Sequence, residues 1–216
     1  EVEREMKLTQ EEIKGIKDYH QTTHTDWVAL AEGLQEMPST FHRQRLEFLL
    51  KMMATFKAEG KFLDAGCGTG LILRHLPKDS VGIDINPEAV GLAKKYAPNA
   101  KVLVTDIEKM PFKDSSFQTV ICTQVLDHLP HPERAIQEIY RVLKPGGLLI
   151  GTVPRYNPLW QLQFVASPRP NAQPFHHEFT EREMRELLKP FKLVEFSPTL
   201  SYLAIAFIVR KPSEEK

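Results

Sequence analysis

A chain of 216 residues is long enough for one well-filled core and short for two ordinary domains. Its 28 Lys and Arg balance its 28 Asp and Glu, so no strong positive field exists to neutralise a phosphate backbone, and nucleic acid is disfavoured as a partner. With 42% apolar and 26% charged residues the composition is that of an ordinary globular protein and excludes wholesale disorder.

Only Cys67 and Cys122 occur, both at expected strand ends, so no disulfide framework is expected and a reducing, cytoplasmic setting fits. The longest apolar run, Tyr202 to Val209, is far below the roughly 20 residues of a membrane helix. The opening EVEREMKL is charged, unlike a signal peptide. No membrane association is expected, and no feature bears on oligomeric state.

In chain order, Thr9 and Glu12 are spaced as a capping box before Ile13 and Ile16. Ser39 or Thr40 is expected to cap a second helix that turns Leu46, Leu49, Leu50 and Met53 inward. Tyr19 to Trp27, between them, carries no clear pattern. Residues 1–58 are expected to form an N-terminal helical cap and residues 59–216 the core.

From Lys61 onward short apolar runs alternate with helical stretches. Phe62-Leu63, Val81 to Ile85, Val102 to Val104, Val120 to Cys122 and Leu148 to Val153 read as strands. Leu71 to Leu76, Pro87 to Tyr96, a turn near Leu126, and Pro132 to Leu143 read as the intervening helices, with Asn86 before Pro87 as a start signal. Strands separated by helices imply right-handed crossovers, hence an α/β, doubly wound, mostly parallel sheet. The proline-rich stretch at about 154–177 reads as an insertion lying over that sheet. Thr180 and Glu183 are spaced to cap a helix through Leu188, followed by strands near Leu193 to Phe196 and Leu200 to Val209 as an antiparallel pair.

The chemistry-bearing segment is Asp64-Ala65-Gly66-Cys67-Gly68-Thr69-Gly70, directly after a strand. Glycine lets backbone N–H groups approach a ligand at the sheet's carboxyl edge, so a nucleotide-like ligand is implied. A dinucleotide site prefers G-x-G-x-x-G, whereas here the spacing is G-x-G-x-G with an acid two residues earlier. A carboxylate at that place repels a pyrophosphate and favours a ligand with a positive amino group. Twenty positions on, Asp84 ends the second strand, where a carboxylate can accept both ribose hydroxyls; a helix-capping role is the plainer alternative.

Taken together, DAGCGTG, GIDIN, TDIEKMPF, FQTVICTQVLDHLP and RVLKPGGLLIGTVP resemble the class I S-adenosylmethionine-dependent methyltransferase family, over about Lys61 to Pro154 and more loosely through HHEFTEREMRELL. The resemblance implies a seven-stranded sheet of order 3-2-1-4-5-7-6 with the seventh strand antiparallel. It implies S-adenosyl-L-methionine as cofactor, S-adenosyl-L-homocysteine as its product, and a small-molecule acceptor. By the same resemblance Gly66, Cys67, Gly68, Thr69 and Gly70 pass beneath the methionine part and Asp64 holds its amino group. Asp84 takes the ribose hydroxyls, Ile85 and Ile107 flank the adenine, Asp106 accepts from the adenine amino group, and Gln124 lines the sulfonium end. Lys144 to Gly147 is read as a turn into the fifth strand.

Alignment of acceptor, methyl and sulfur can supply most of the rate, so a base is not obligatory. For a hydroxyl acceptor, His128 with Asp127 is the best-placed proton acceptor; packing or capping is the rival role. His176 and His177 lie just after the insertion, and as neighbours they are expected to point apart. No metal site is expected from His20 and His24 alone. Tyr156, Trp160 and His177 are expected to contact the acceptor, the rings of the insertion either lining a hydrophobic pocket or simply covering the sheet. RNA or protein methylation, and a non-catalytic sensor or scaffold, are the alternative functions. Nicotinamide chemistry is disfavoured by the glycine spacing.

Overall fold

The computed structural model describes residues 8–26, 28–29, 37–156, 176–199 and 204–213. Helix α1 spans Gln10–Thr22, and the Thr9 capping box is formed: the Thr9 hydroxyl accepts from the Glu12 amide at 3.2 Å, and Glu12 accepts from the Thr9 amide at 2.7 Å. Helix α2 spans Met37–Thr55, so Ser39 and Thr40 lie inside it and do not cap it.

Seven strands follow: β1 Phe62–Ala65, β2 Val81–Asp84, β3 Lys101–Val104, β4 Phe117–Thr123, β5 Leu143–Pro154, β6 Lys192–Thr199 and β7 Ala204–Arg210. Helix α3, Pro87–Tyr96, starts where expected, with the Asn86 side chain accepting from the Glu88 and Ala89 amides at 2.9 Å each. Helix α4 spans Pro132–Val142, and α5, Glu181–Leu187, carries the capping box of Thr180 and Glu183.

The sheet order is β3-β2-β1-β4-β5-β7-β6, parallel except that β7 runs antiparallel to β5 and β6. Alternate residues of each inner strand feed opposite layers. Leu63, Val120 and Cys122 pack with Ala135, Ile136 and Ile139 of α4, whereas Phe62, Ile121 and Ile150 pack with Leu49 of α2. In α4, Ala135, Ile136, Ile139 and Val142 are buried, at the spacing of one helix face.

Two expectations need correction. Leu71 to Leu76 is not an α-helix; only a 3₁₀ turn, Leu73–His75, forms there. Gly68 and Gly70 have φ of +52° and +91°, outside helical space, and Pro77 stops the chain soon after, leaving room for one tight turn. Lys144 to Gly147 is part of β5, where the register slips between the Phe117–Leu143 and Thr119–Leu148 pairs; the stretch is a bulge within a strand. The expected strand start at Leu200 lies outside the described residues. Among the described residues no helix is long and apolar enough to cross a membrane.

Strand order reverses between β1 and β4, so loops leaving their carboxyl ends diverge and open a crevice. Beyond β5 lies β7, whose Phe207 packs against Gly151: a Cβ on Gly151 meets Phe207 Cζ at 2.3 Å and the Cys122 carbonyl at 2.7 Å. Gly151→Ala is expected to lower stability by about 1–3 kcal/mol, read as a lower urea midpoint at unchanged slope. An unchanged midpoint contradicts this packing.

Candidate functional site

The crevice holds a cleft of about 450 Å³, within the range of small-molecule sites, at the carboxyl ends of β1, β2 and β4. Its floor is the turn after β1. Gly66 and Cys67 both donate their amides to the Ile83 carbonyl, at 2.8 and 2.9 Å, which fastens the turn to β2. Gly66 has φ of +82°, and a Cβ there strikes Val125 Cγ2 at 2.2 Å, so only glycine suits the position. Gly66, Cys67 and Gly68 line the cleft.

Thr69 and Gly70 do not line it, contrary to expectation. Thr69 is fully buried, its hydroxyl accepting from the Val28 amide at 3.4 Å. Gly70 turns away to let the chain approach α3, where an added Cβ comes within 3.2 Å of Ala93 Cα.

Three acids mark the strand ends. Asp64 is 1% exposed and its Oδ2 has no hydrogen-bond partner among the described residues. Burial, reinforced by the Asp84 charge and opposed by Arg45, pushes its pKa up to about 7. Asp84 accepts from the Gly68 amide at 2.8 Å and from the Asn86 amide at 2.9 Å, so it both shapes the glycine turn and faces the cleft. Burial raises its pKa, against the pull of those amides. Asp106 accepts from the Glu108 amide at 2.9 Å, and its other oxygen pairs with Lys17 Nζ of α1 at 2.6 Å, as does Glu108. Ile85 and Ile107 line the cleft beside them. Gln124 lines it too, held at φ of +54° with its amide on the Thr152 carbonyl at 2.8 Å and its side chain 3.3 Å from the Thr152 hydroxyl.

At the other end, a 3₁₀ turn at Leu126–His128 carries Asp127, 1% exposed, and His128. The Asp127 Oδ2 lies 3.3 Å from His128 Nε2 and 3.4 Å from His176 Nε2, so one carboxylate serves two imidazoles. Burial raises its pKa to about 6, while His176 and Arg45 pull the other way. The His20 ring of α1 lies against that of His128, tilted by 51°, with ring centroids 4.9 Å apart. Burial, then the neighbouring His128, lowers the His20 pKa to about 4, so it is neutral at pH 7.

His176, not His177, lines the cleft. His177 donates its amide to the Asp127 carbonyl at 2.8 Å while its ring packs on Phe179 and its Nε2 lies 3.6 Å from Glu183, as alternation of neighbouring side chains demands. Tyr156 is 45% exposed and outside the lining; its amide bonds to the Phe179 carbonyl at 2.9 Å, which fixes the backbone at the sheet's rim. Trp160 lies outside the described residues. Among the described residues no group of three or more His, Cys, Asp or Glu is arranged to hold a metal ion.

Sequence reasoning missed Lys17, His20 and Arg45, all on the N-terminal helices and all lining the cleft. Arg45 is 7% exposed, with Nε lacking a partner among the described residues. Its signal was available: it precedes Leu49 by four residues and so stands in the helix's apolar stripe, an unusual place for a guanidinium.

The cleft thus brings together the unpartnered, buried oxygen of Asp64, the Asp84 carboxylate at the next strand end, and the apolar Ile85 and Ile107.

Comparison with known proteins agrees. Residues 63–151 match the family model described as a methyltransferase domain. The chain is 31% identical over 130 residues to a sterol 4-C-methyltransferase of Caenorhabditis elegans, covering 53% of this chain and 39% of that one. A crystal structure of a S-adenosylmethionine-dependent methyltransferase from Methanosarcina mazei superposes with a TM-score of 0.63 at 26% identity, over 74% of this chain and 98% of that one. The fold is also shared with magnesium protoporphyrin IX methyltransferase from Synechocystis PCC 6803, solved with bound S-adenosylhomocysteine, at TM-score 0.72 and 18% identity over 92% and 99% of the chains. The chain spans 26–60% of the length of the first curated relatives it matches. Residues 63–151 thus match a methyltransferase domain, and the sheet order is the one that the resemblance to the class I S-adenosylmethionine-dependent methyltransferase family implies.

Proposed function

We propose that the protein is an S-adenosylmethionine-dependent methyltransferase acting on a small molecule, and that residues 1–58 form a cap over its donor cleft. The observation that carries this reading is the buried, unpartnered oxygen of Asp64 beside the glycine turn, with Asp84 at the next strand end. Asp64 would hold the donor's ammonium, Asp84 its ribose hydroxyls, and Ile85 and Ile107 its adenine. Asp106 would accept from the adenine amino group while sharing its charge with Lys17. Bound there, the donor supplies an electrophilic methyl group on a positively charged sulfur.

Gln124 and the imidazoles of His20, His128 and His176 line the opposite end of the cleft, where an acceptor has to lie. Asp127 near His128 Nε2 would hold a proton on that atom and leave Nδ1 as the basic nitrogen. For a hydroxyl acceptor this dyad removes the proton, worth about 10²–10⁴-fold in rate. A cleft of small-molecule size and the even charge balance favour a small acceptor over RNA or protein.

Three measurements test this reading. Calorimetric titration with S-adenosylhomocysteine is expected to show binding that Asp84→Ala weakens by about 10–100-fold, because charge-assisted hydrogen bonds are lost. Equal affinity in the folded variant contradicts the ribose assignment. Affinity should also depend on pH with a definite sign: Asp64, facing Asp84 and Arg45, is protonated below about 7, whereas a bound ammonium favours its ionised form. Binding is therefore expected to be constant above that value and to weaken as pH falls below it, by up to about tenfold per unit. A flat profile from pH 6 to 8 contradicts the role of Asp64. Incubation of cell extract with methyl-labelled S-adenosylmethionine should put enzyme-dependent label into small, extractable compounds; label confined to precipitated RNA or protein contradicts the acceptor class.

A further inference from the structure

The even charge total conceals an uneven distribution along the strands. In the turn entering each of β1 to β6, or in the first two residues of the strand, stands an exposed lysine: Lys61, Lys78, Lys101, Lys113, Lys144 and Lys192. Strand pairing puts them on one edge of the sheet, the edge away from the cleft. Lys101 lies opposite Val81 and Val81 opposite Leu63, while Lys192 lies opposite Arg210 and Arg210 opposite Leu148. The chain leaves β7 at the same edge through Arg210 and Lys211. Among the described residues there, Asp114 and Glu186 are taken up by Arg141 and Lys189, which leaves Glu59 and Asp79 as the acids in those turns. The carboxylates that balance the total, Asp64, Asp84, Asp106 and Asp127 among them, gather at the cleft.

The ends of neighbouring strands are about 4.8 Å apart, inside the screening length of about 8 Å at physiological salt, so the charges of this row add. Such a row weakens the fold by self-repulsion. None of the six lysines lies within a helix, where a macrodipole would favour them; only Lys144 comes close, two residues past α4. We propose that this edge docks the protein reversibly on a bilayer surface containing anionic lipid, with the donor cleft turned away from it. Three features favour lipid over nucleic acid. The six cations are lysines, point charges that suit headgroup phosphates without selecting a geometry. Among the described residues no aromatic ring of these turns is exposed for a base to stack on, since Phe56 and Phe112 are half-buried and Phe191 is buried. Leu193, 45% exposed, stands beside Lys192 as an apolar contact for the headgroup layer. At about fivefold in partition per lysine, the row suffices for binding that salt reverses.

The test is sedimentation with sucrose-loaded vesicles, of phosphatidylcholine alone and of phosphatidylcholine mixed equally with phosphatidylglycerol. Binding is expected to the mixed vesicles only, and to fall steeply as salt rises. Lys78→Gln, Lys101→Gln, Lys144→Gln and Lys192→Gln together are expected to weaken it by more than about 100-fold. A control of Lys14→Gln with Arg182→Gln, on α1 and at the start of α5, is expected to stay within about fivefold. Should the quadruple variant not fold, as judged by thermal unfolding, Lys78→Gln with Lys101→Gln, and Lys144→Gln with Lys192→Gln, are each expected to lose about 25-fold. Absence of binding to the mixed vesicles at low salt overturns the proposal, as do equal binding to both kinds of vesicle and unchanged binding in the quadruple variant. An equal loss in the control overturns it too, because the attraction then belongs to total charge and not to this edge. Capture of polyuridylate that the quadruple variant loses, with vesicles ignored, overturns it in favour of nucleic acid.

Discussion

A carboxylate at the end of the central strand, sealed from water and left with one oxygen unanswered, sets the terms for the rest of the molecule. Asp64 is fixed there by a strand buried on both faces and by a turn in which a side chain at Gly66 would strike Val125. Its burial raises its pKa to about 7, so at neutral pH the fold carries a charge it disfavours. With a pKa above the unfolded value, this group weakens folding, the cost growing as pH rises from about 4 and complete above about 7. A protein keeps such a group where a ligand's charge offsets the cost, and stability is commonly given up at such places.

Around this point the fold distributes its charges by segment. The sheet contributes Asp64, Asp84 and Asp106, one from each of three adjacent strand ends or the residues just beyond. The N-terminal helices contribute the cations: Lys17 against Asp106 and Glu108, and Arg45 toward Asp64 and Asp127. Two cations of the N-terminal helices thus face the acids of the sheet edge across the cleft, where burial strengthens hydrogen bonds. His20 of α1 is neutral at pH 7 and lies against His128 without adding charge beside it.

The sheet and its order were legible in the sequence because strands separated by capped helices leave few topologies, and family motifs fixed the rest. Asn86 and both capping boxes were readable for a local reason: the cap donor and acceptor are three residues apart or fewer. The segment after the glycines misled, since apolar spacing from Leu71 to Leu76 suggests a helix, while the left-handed Gly70 before it and Pro77 after it leave room for one tight turn only. Thr69 and Gly70 belong to the motif but to the packing side of the turn, a distinction that one-dimensional spacing does not carry. Lys17, His20 and Arg45 reach the site across long sequence separations, so only the folded chain brings them to it. His176 rather than His177 faces the cleft because of the chain's direction as it passes Asp127, which again is a tertiary fact.

A crystal structure of the protein with S-adenosylhomocysteine puts the central claim to the most direct test. The account predicts ligand density over the turn from Gly66 to Gly68, with the amino nitrogen against Asp64 and the ribose against Asp84. Density at another place on the molecule, or an empty turn at saturating ligand, would contradict it.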